Sequence, residues 1–406
     1  MKNNRTFLEK LLDGAEVEWK TVKSLCNDNF WLMPATPEFD DNGTIPYITS
    51  KNIKGGKIDF QNTKYINEHV YQELSRTRCI IENDILISMI GTIGEAVIVK
   101  KEDLFFYGQN MYILRLNNKL VNHKFFLYYF TAPFILNSLL SKKNSSNQGY
   151  LKAGQIENLK IPIPPLSVQT EIVKILDALT ALTRELTSEL TLRRKQYEYY
   201  REKLLSEEEL GKVGFEWKTI DEISKKISSG GTPTTSNNGY YDNGTIPWLR
   251  TQEVDFKEIW DTNIKITEDG LNNSSAKWIP ANCVIVAMYG ATVGKTAINK
   301  IPLTTNQACA NIEINDKLAC YRYIFHYLTS KYEYIKSLGS GSQTNINAQI
   351  IKKLKVPVPP IEEQQRIVSI LDKFEALTNS ITEGLPLAIE QSQKRYEYYR
   401  ELLLSF

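Results

Sequence analysis

The sequence is poor in cysteine and histidine and has no long hydrophobic run. Its five cysteines never approach Cys-x-x-Cys spacing and its three histidines lie far apart, so we expect neither a metal site nor a disulfide framework. Cys79 and Cys283 each precede an apolar stretch and are predicted to be buried, reduced thiols. No apolar stretch approaches the ~18 residues of a membrane span, and no signal-peptide core follows Met1, so a cytoplasmic protein without membrane contact is expected.

The sequence also lacks a recognisable catalytic motif. The nearest approach is Gly290-Ala291-Thr292-Val293-Gly294-Lys295-Thr296, but a phosphate-binding loop needs four residues between its glycines and this segment has three. A tight glycine turn after a buried strand is the favoured interpretation. A nucleotide-dependent enzyme remains the alternative, and ATP binding that is lost in Lys295→Ala would support it. We expect no catalytic residues and no cofactor in this chain.

What the chain does contain is an internal repeat. Glu18-Trp19-Lys20 returns as Glu216-Trp217-Lys218, and Asn42-Gly43-Thr44-Ile45-Pro46 returns as Asn243-Gly244-Thr245-Ile246-Pro247. Residues 159–182 (LKIPIPPLSVQTEIVKILDALTAL) match residues 354–377 at 13 of 24 positions. Residues 195–206 (KQYEYYREKLLS) match residues 394–405 at 10 of 12 positions. The chain is therefore two copies of one ancestral unit.

The similarity between the two copies is uneven. Residues 20–155 and 218–348 share scattered anchors, whereas the segments that follow them are nearly copies. Each half thus joins a divergent block to a constant block. This division predicts four segments: a first divergent domain (1–160), a central constant helix (161–210), a second divergent domain (211–355) and a C-terminal constant helix (356–406).

The divergent blocks have the pattern of mixed α/β domains. Runs rich in β-branched residues predict strands at 80–88 and 283–287, and near-alternation predicts strands at 112–116 and 311–314. Apolar residues at helical spacing predict helices over 121–140 and about 317–338.

The constant blocks are predicted to be long helices that begin just after Pro164-Pro165 and Pro359-Pro360. Apolar residues that step by three and four along both indicate coiled-coil seams. The second block carries four extra residues and Pro386, so the first helix should be continuous and the second interrupted. A helix of roughly 40 residues spans ~60 Å, about 17 base pairs of DNA. A simple tethering coil is the structural alternative.

The first residues of the chain resemble the segment that follows the central constant helix. The C-terminal constant helix has no such segment after it in this sequence. Residues 9–12 (EKLL) precede Glu18-Trp19-Lys20 just as residues 202–205 (EKLL) precede Glu216-Trp217-Lys218. This correspondence predicts a circular arrangement in which both termini lie close together.

The small net charge of +2 conceals an uneven distribution. Residues 1–160 carry 20 basic and 17 acidic side chains, and residues 211–355 carry 17 and 13. The constant segments are acidic, with 7 basic against 9 acidic in residues 161–210 and 5 against 8 in residues 356–406. Basic charge is therefore concentrated in the loop-rich blocks, which suits phosphate contact.

Across essentially its whole length, the sequence resembles the specificity subunits of type I restriction-modification systems. The resemblance rests on the duplicated LKIPIPP…QTEIVKILDALTAL and LKVPVPP…QQRIVSILDKFEAL segments, the repeated KQYEYYREKLLS and KRYEYYRELLLS ends, and the half-starts Val17-Glu18-Trp19-Lys20 and Phe215-Glu216-Trp217-Lys218. It implies an α+β fold in which two long antiparallel coiled-coil helices separate two mixed α/β target-recognition domains related by a pseudo-twofold repeat.

The resemblance also implies a non-catalytic role and a set of partners. Each recognition domain would read one half of a split site in double-stranded DNA. The two constant helices would dock two methyltransferase subunits, and a restriction and translocase subunit would join that core. S-adenosylmethionine, ATP and Mg²⁺ would belong to those partners.

A protein with this role would recognise bases through polar side chains that reach the major groove of DNA. Asn and Gln are suited to adenine, and Arg and Lys to guanine. Each such side chain could equally cap a turn. The candidates in the first domain are Lys51, Gln109, Asn110, Asn147, Gln148 and Lys152. The candidates in the second domain are Thr232, Thr234, Arg250, Lys295, Asn306, Gln307, Gln343 and Asn345.

Two tyrosine clusters on the constant helices are candidate partner contacts. The spacing predicts that Tyr200 and Tyr399 pack in the seam and that Tyr199 and Tyr398 face outward, where they could meet a partner.

Overall fold

Two units make up the computed structural model, which describes residues 6–91, 93–141, 150–339, 345–380 and 383–406. Unit 1 comprises residues 1–185 together with 389–406, and unit 2 comprises residues 186–388. Each unit therefore combines one divergent block with parts of both constant segments.

In unit 1, short strands alternate with short helices. Its strands are β1 (Glu18–Thr21), β2 (Cys26–Leu32), β3 (Ile45–Thr49), β4 (Ile53–Lys54), β5 (Lys57–Ile58), β6 (Lys64–Ile66), β7 (Ile85–Ser88), β8 (Ala96–Ile98), β9 (Tyr107–Gln109), β10 (Met111–Leu116) and β11 (Lys160–Ile163). They form sheets in the orders β2-β10-β7-β8, β6-β3-β9, β4-β5 and β1-β11. Its helices are α1 (Phe7–Leu12), α2 (Glu68–Ser75), α3 (His123–Phe130), α4 (Pro133–Ser141), α5 (Ala153–Glu157) and the first half of α6 (Leu166–Leu204).

Unit 2 repeats this plan, and its two larger sheets contain more strands. Its strands are β12 (Glu216–Thr219), β13 (Ser224–Ser229), β14 (Ile246–Leu249), β15 (Lys257–Ile259), β16 (Lys265–Ile266), β17 (Trp278–Ile279), β18 (Val284–Ala287), β19 (Thr296–Asn299), β20 (Leu303–Thr305), β21 (Cys309–Ile314) and β22 (Lys355–Val358). They form sheets in the orders β13-β21-β18-β19-β15, β16-β14-β20-β17 and β12-β22. After α6 come α7 (Glu207–Gly211), α8 (Glu268–Asn272), α9 (Tyr321–Ser330), α10 (Tyr332–Ser337), α11 (Ala348–Lys353), α12 (Ile361–Asn379) and α13 (Gly384–Leu404), the last of which ends in unit 1.

The four predicted strands are present as β7, β10, β18 and β21, and the two predicted helices of the divergent blocks are each divided. The segment 121–140 contains α3 and α4, which begins at Pro133. The segment 317–338 contains α9 and α10, which meet at Lys331. Proline at 133 lacks the backbone N–H that would continue α3, so a new helix begins there. The predicted fold class is confirmed.

The long helices begin where the prolines place them. α6 starts at Leu166 and runs uninterrupted for 39 residues, while the second constant block is divided into α12 and α13. The break falls before Gly384, whose φ of +76° is a left-handed conformation, and Pro386 then lies in the first turn of α13. A continuous first helix and an interrupted second were both correctly predicted. Among the described helices, none is long and apolar enough to cross a membrane.

Within each unit the constant helices pack antiparallel. In unit 1, the hydroxyls of Thr183 on α6 and Ser392 on α13 are 2.8 Å apart, and Ile172 shares a core with Leu403. In unit 2, Tyr200 on α6 stacks on Phe374 of α12 with ring centroids 5.6 Å apart. The apolar stripes that the sequence predicts are therefore seams between α6 and the second constant block.

Both ends of the described chain lie in the core of unit 1. Leu8 on α1 belongs to the same buried cluster as Leu403 and Leu404 at the end of α13. Thr6 caps α1 by accepting the Glu9 N–H, in the same way that Ser206 caps α7. For the described residues, which begin at Thr6, the predicted proximity of the two ends is confirmed.

A buried glutamine joins each divergent block to its constant helix. Gln169 on α6 accepts the Asn122 N–H (2.8 Å) through Oε1 and donates through Nε2 to the carbonyl oxygens of Leu120 and Pro164. Gln364 on α12 makes the matching bonds, accepting from the Cys320 N–H (2.8 Å) and donating to the Pro359 oxygen (2.8 Å). Both glutamines are buried, and both bond the backbone at the start of a helix in the divergent block.

An ionic contact supports the same junction. In unit 1, Asp177 on α6 accepts from Lys124 Nζ (2.6 Å) and from the Tyr128 hydroxyl (2.7 Å), both on α3. In unit 2, Asp372 on α12 accepts from Arg322 Nη2 (2.7 Å) on α9. Each divergent block therefore has a hydrogen-bonded and an ionic attachment to a constant helix.

The cysteines are all free thiols. Burial raises the pKa of the Cys26, Cys283 and Cys309 thiols to about 12, so they stay protonated and unreactive. Cys283 is buried as predicted. The prediction for Cys79 is wrong, because this residue precedes an irregular segment rather than the strand itself and its side chain is exposed.

Gln364→Ala should destabilise the protein by about 1–3 kcal/mol, because the Cys320 N–H loses its acceptor and the Pro359 oxygen loses its donor. The neighbouring Gln365 lies on the same helix and is exposed, so Gln365→Ala is the matched control. Urea denaturation followed by circular dichroism measures both free energies of unfolding. Equal stability of the two variants would contradict the assigned role of Gln364.

Candidate nucleic-acid interface

In unit 2 the candidate residues converge where two parallel strands end. β14 and β20 run parallel with Leu249 opposite Thr305, so the residues that follow them emerge at one edge of the sheet. Arg250 follows β14, and Asn306 and Gln307 follow β20. The Asn306 N–H donates to the Leu249 oxygen (2.9 Å), which holds the two strand ends together.

The glycine-rich segment before residue 235 lies against this edge. A Cβ atom at Gly230 would lie 1.8 Å from the Thr305 carbonyl oxygen, so the close approach requires glycine. The Gly231 N–H donates to the same oxygen (3.0 Å), and the Thr232 hydroxyl donates to Oε1 of Gln307. Thr232 thereby joins the edge, while Thr234 is exposed farther along the loop.

The Gly290–Thr296 segment is a turn between two antiparallel strands. β18 leads into it and β19 follows, with glycine φ values of +83° at Gly290 and +82° at Gly294. A phosphate-binding loop would be followed by a helix, so the structure does not support the nucleotide-binding alternative. The turn lies beside the edge because the Thr292 hydroxyl donates to the Thr251 oxygen (2.7 Å). Lys295 forms an ion pair with Asp255 (2.6 Å), which a phosphate contact would have to displace.

Asn345 lies at the same edge. The adjacent Ile346 N–H donates to the Met288 oxygen (3.0 Å), and the Met288 N–H donates to the Ala308 oxygen (2.8 Å) just after Gln307. Asn345 Oδ1 and Arg250 Nε are two of the seven buried side-chain atoms that have no hydrogen-bond partner among the described residues.

Unit 1 has a corresponding edge, formed by different residues. β3 and β9 run parallel with Thr49 opposite Gln109, so Lys51 and Gln109 emerge together. Gln109 accepts from the Tyr47 hydroxyl (3.3 Å), and Asn110 follows in a left-handed conformation with φ of +66°. Asparagine is one of the few residues that adopt this conformation readily.

Lys152 joins this second edge through the adjacent Leu151, whose N–H donates to the Met89 oxygen (3.1 Å). Lys152 itself is exposed. The structure therefore brings Lys51, Gln109, Asn110 and Lys152 to one edge. Asn147, Gln148 and Gln343 lie outside the described residues.

Sequence reasoning missed one exposed polar side chain at the unit 2 edge and two exposed lysines on a hairpin of unit 1. Gln252 follows Arg250 closely, at the position that Lys51 occupies in unit 1, and it is exposed. Lys54 and Lys57 flank Gly55-Gly56, whose positive φ values turn β4 back onto β5. A Gly-Gly pair between short strands predicts a hairpin, and the flanking lysines make that hairpin positively charged. Both features could have been recognised in the sequence.

The tyrosine clusters match the prediction in part. Tyr199 and Tyr398 face outward, with 58% and 62% of their surface exposed. Tyr200 packs against Phe374 but keeps a large exposed fraction. Tyr399 keeps 36% of its surface exposed, close to the 41% of Tyr200, and its packing in the seam stays a prediction. Tyr396, one turn earlier, packs against the core of unit 1.

Three side chains in unit 2 have a spacing that a metal ion could use, namely His326, Asp372 and Glu375. Arg322 already donates to Asp372 and to Glu375 (3.1 Å), so a cation supplied by the chain satisfies the carboxylates. Burial raises the pKa of Glu375. Burial also acts to raise the pKa of Asp372, but hydrogen bonds from His326 (2.8 Å) and Arg322 outweigh it and lower that pKa. The group functions as a structural ion cluster.

Comparison with known proteins gives concordant matches in sequence and fold. The model of the type I restriction modification DNA specificity domain matches residues 15–192 and 212–391. A type I restriction enzyme specificity subunit of Escherichia coli is 37% identical over 419 aligned residues, which cover 99% of this chain and 97% of that protein.

Solved structures show the same fold at low sequence identity. The S subunit of a type I restriction-modification system from M. genitalium has a TM-score of 0.56 at 16% identity, with 97% of each chain covered. A chain from a structural study of type I system assembly has a TM-score of 0.60 at 17% identity, with 95% of this chain and 97% of that chain covered. The two matched domains, the near-complete alignment and the shared fold establish that the chain belongs to the family of type I restriction-modification specificity subunits.

Proposed function

We propose that this chain selects the DNA sequence on which a type I restriction-modification complex acts. Each of its two recognition blocks reads one half of a bipartite site in double-stranded DNA. The proposal rests on the two sheet edges at which the candidate side chains lie, one in each unit. In each unit, two parallel strands end side by side and place amide and basic side chains at one exposed edge.

The chemistry of these edges suits base readout. Amide side chains at Gln307 and Gln109 can offer both a donor and an acceptor, which is the pattern that a base edge in the major groove requires. Lys51 and Lys152 supply positive charge beside them for phosphate contact. Because the two edges carry different side chains on the same framework, the two units would read different sequences.

The partners and the chemistry follow from this role. Two methyltransferase subunits would bind the constant helices, where Tyr199 and Tyr398 are exposed candidate contacts. A restriction and translocase subunit would complete the complex. S-adenosylmethionine, ATP and Mg²⁺ would act in those subunits, and this chain would position them over the site without catalytic residues of its own.

The methylome of the host should contain a bipartite methylated motif that disappears when the gene is deleted and returns on complementation. Single-molecule sequencing of genomic DNA from the three strains measures this directly. An unchanged methylome, in a strain whose methyltransferase gene is expressed, would refute the proposal.

Each edge should control one half-site. Gln307→Ala removes an exposed amide from unit 2, and Asn110→Gly removes a half-buried amide from unit 1 while keeping a residue that accepts φ of +66°. Each change should weaken binding by about 1–3 kcal/mol, or roughly 5–150-fold, and relax the preference at one half-site.

Fluorescence anisotropy of the methyltransferase complex, on duplexes altered in one half-site at a time, measures these effects. Gln365→Ala, on the exposed face of α12, is the control and should bind like the parent. If either variant altered both half-sites equally, or neither, the assignment of one half-site to each unit would be wrong.

A further inference from the structure

Unit 2 contains an apolar groove that the proposed DNA edge does not use. It has a volume of about 860 Å³ and lies between the strand pair β12–β22 and the helices α9, α10 and α11. Its floor is formed by aliphatic side chains contributed by these elements. They are Leu328, Ile335, Leu338, Ile350 and Leu354.

Two large aromatic side chains border this groove and are exposed. Trp217 on β12 keeps 45% of its surface exposed, and Tyr334 on α10 keeps 58%. Exposed aromatic side chains around an apolar depression are typical of protein interfaces, since their burial supplies most of the binding energy there.

The charged side chains that line the groove are all basic. Lys331, Lys353 and Lys355 line it and are exposed, and the lining residues of the described chain include no carboxylate. Glu207 comes near enough to Tyr327 to add to the effect of burial, which raises the pKa of that tyrosine to about 12, but Glu207 does not line the groove. An occupant with an apolar face flanked by acidic side chains would complement this surface.

The groove is built partly on elements that both halves share. Trp217 belongs to the Glu-Trp-Lys-Thr strand that recurs as β1, where Trp19 is also exposed. In unit 1, α4 takes the place of α10 and exposes Phe134 and Leu140. A partner that binds whatever sequence is read, once per half, would need such a repeated surface.

DNA is a poor occupant because it offers no apolar face to a floor of leucine and isoleucine. A helix with one apolar stripe fits a groove of this kind, and its acidic flanks would meet the lysines. We propose that the unit 2 groove receives an amphipathic, acid-flanked helix of one methyltransferase subunit. This inference rests on the proposed function and adds a second contact to the constant helices.

The test is the charge-reversal variant Lys331→Glu/Lys353→Glu in the full chain, coexpressed with its methyltransferase subunit. Native mass spectrometry measures the stoichiometry of the complex. The parent should bind two methyltransferase subunits. The variant should retain one, and binding of the second should require a methyltransferase concentration at least tenfold higher. Tyr334→Ala, an exposed substitution that reverses no charge, should weaken the same step.

The matched control is Lys226→Glu/Lys277→Glu, which reverses two exposed lysines of unit 2 outside the groove. It should assemble like the parent, and all variants should have the parent's unfolding temperature. Full assembly of the groove variants would overturn the inference while leaving the proposed function intact, provided that the parent complex methylates a bipartite motif.

Other outcomes would also overturn the groove assignment. Loss of DNA affinity or of the restriction subunit, at normal methyltransferase stoichiometry, would assign the groove to those partners. A change in self-association of the isolated chain would assign it to a second copy. If the parent bound no methyltransferase subunit, both the inference and the proposed positioning role would fail.

Discussion

The hydrogen bonds of two buried glutamines are the constraint on which the rest of the structure depends. Gln169 and Gln364 each bond a backbone N–H of the recognition block and the carbonyl of the proline that precedes the long helix. A buried amide that lost these partners would incur the full cost of desolvation. The recognition block is therefore held to its helix in one orientation, and the adjacent ion contacts of Asp177 and Asp372 support it.

This attachment allows the strand framework and the side chains at the strand ends to have separate roles. The framework of paired parallel strands is the same in both units, while the side chains at the strand ends differ. Base contacts specify sequence through side-chain chemistry, whereas phosphate contacts only set position. Gln307 at the edge is exposed, so substitution there disturbs no core packing, and the side chains at the strand ends can change without changing the scaffold.

Much of the fold was predictable because it depends on local or repeated signals. Pro164-Pro165 and Pro359-Pro360 mark the helix starts, and runs of β-branched residues mark the buried strands. The two divided helices were missed because their hydrophobic spacing continues across the break. The burial of Cys79 was predicted wrongly, because this residue precedes an irregular segment rather than the buried strand itself. The candidate residues around each edge were selected one by one, and their convergence depends on a parallel pairing that joins distant segments. Gln252 was missed for the same reason.

The sequence by itself determined the family, the duplication, the placement of the long helices and the concentration of basic charge in the divergent blocks, since each of these is recorded in residue order and composition. The tertiary structure alone decided that Thr232 meets Gln307, that Gly230 must lack a side chain against Thr305, and that Trp217 and Tyr334 border one groove. Those relations join residues tens to more than a hundred positions apart, and they arise from strand pairing and helix packing, which no local pattern specifies.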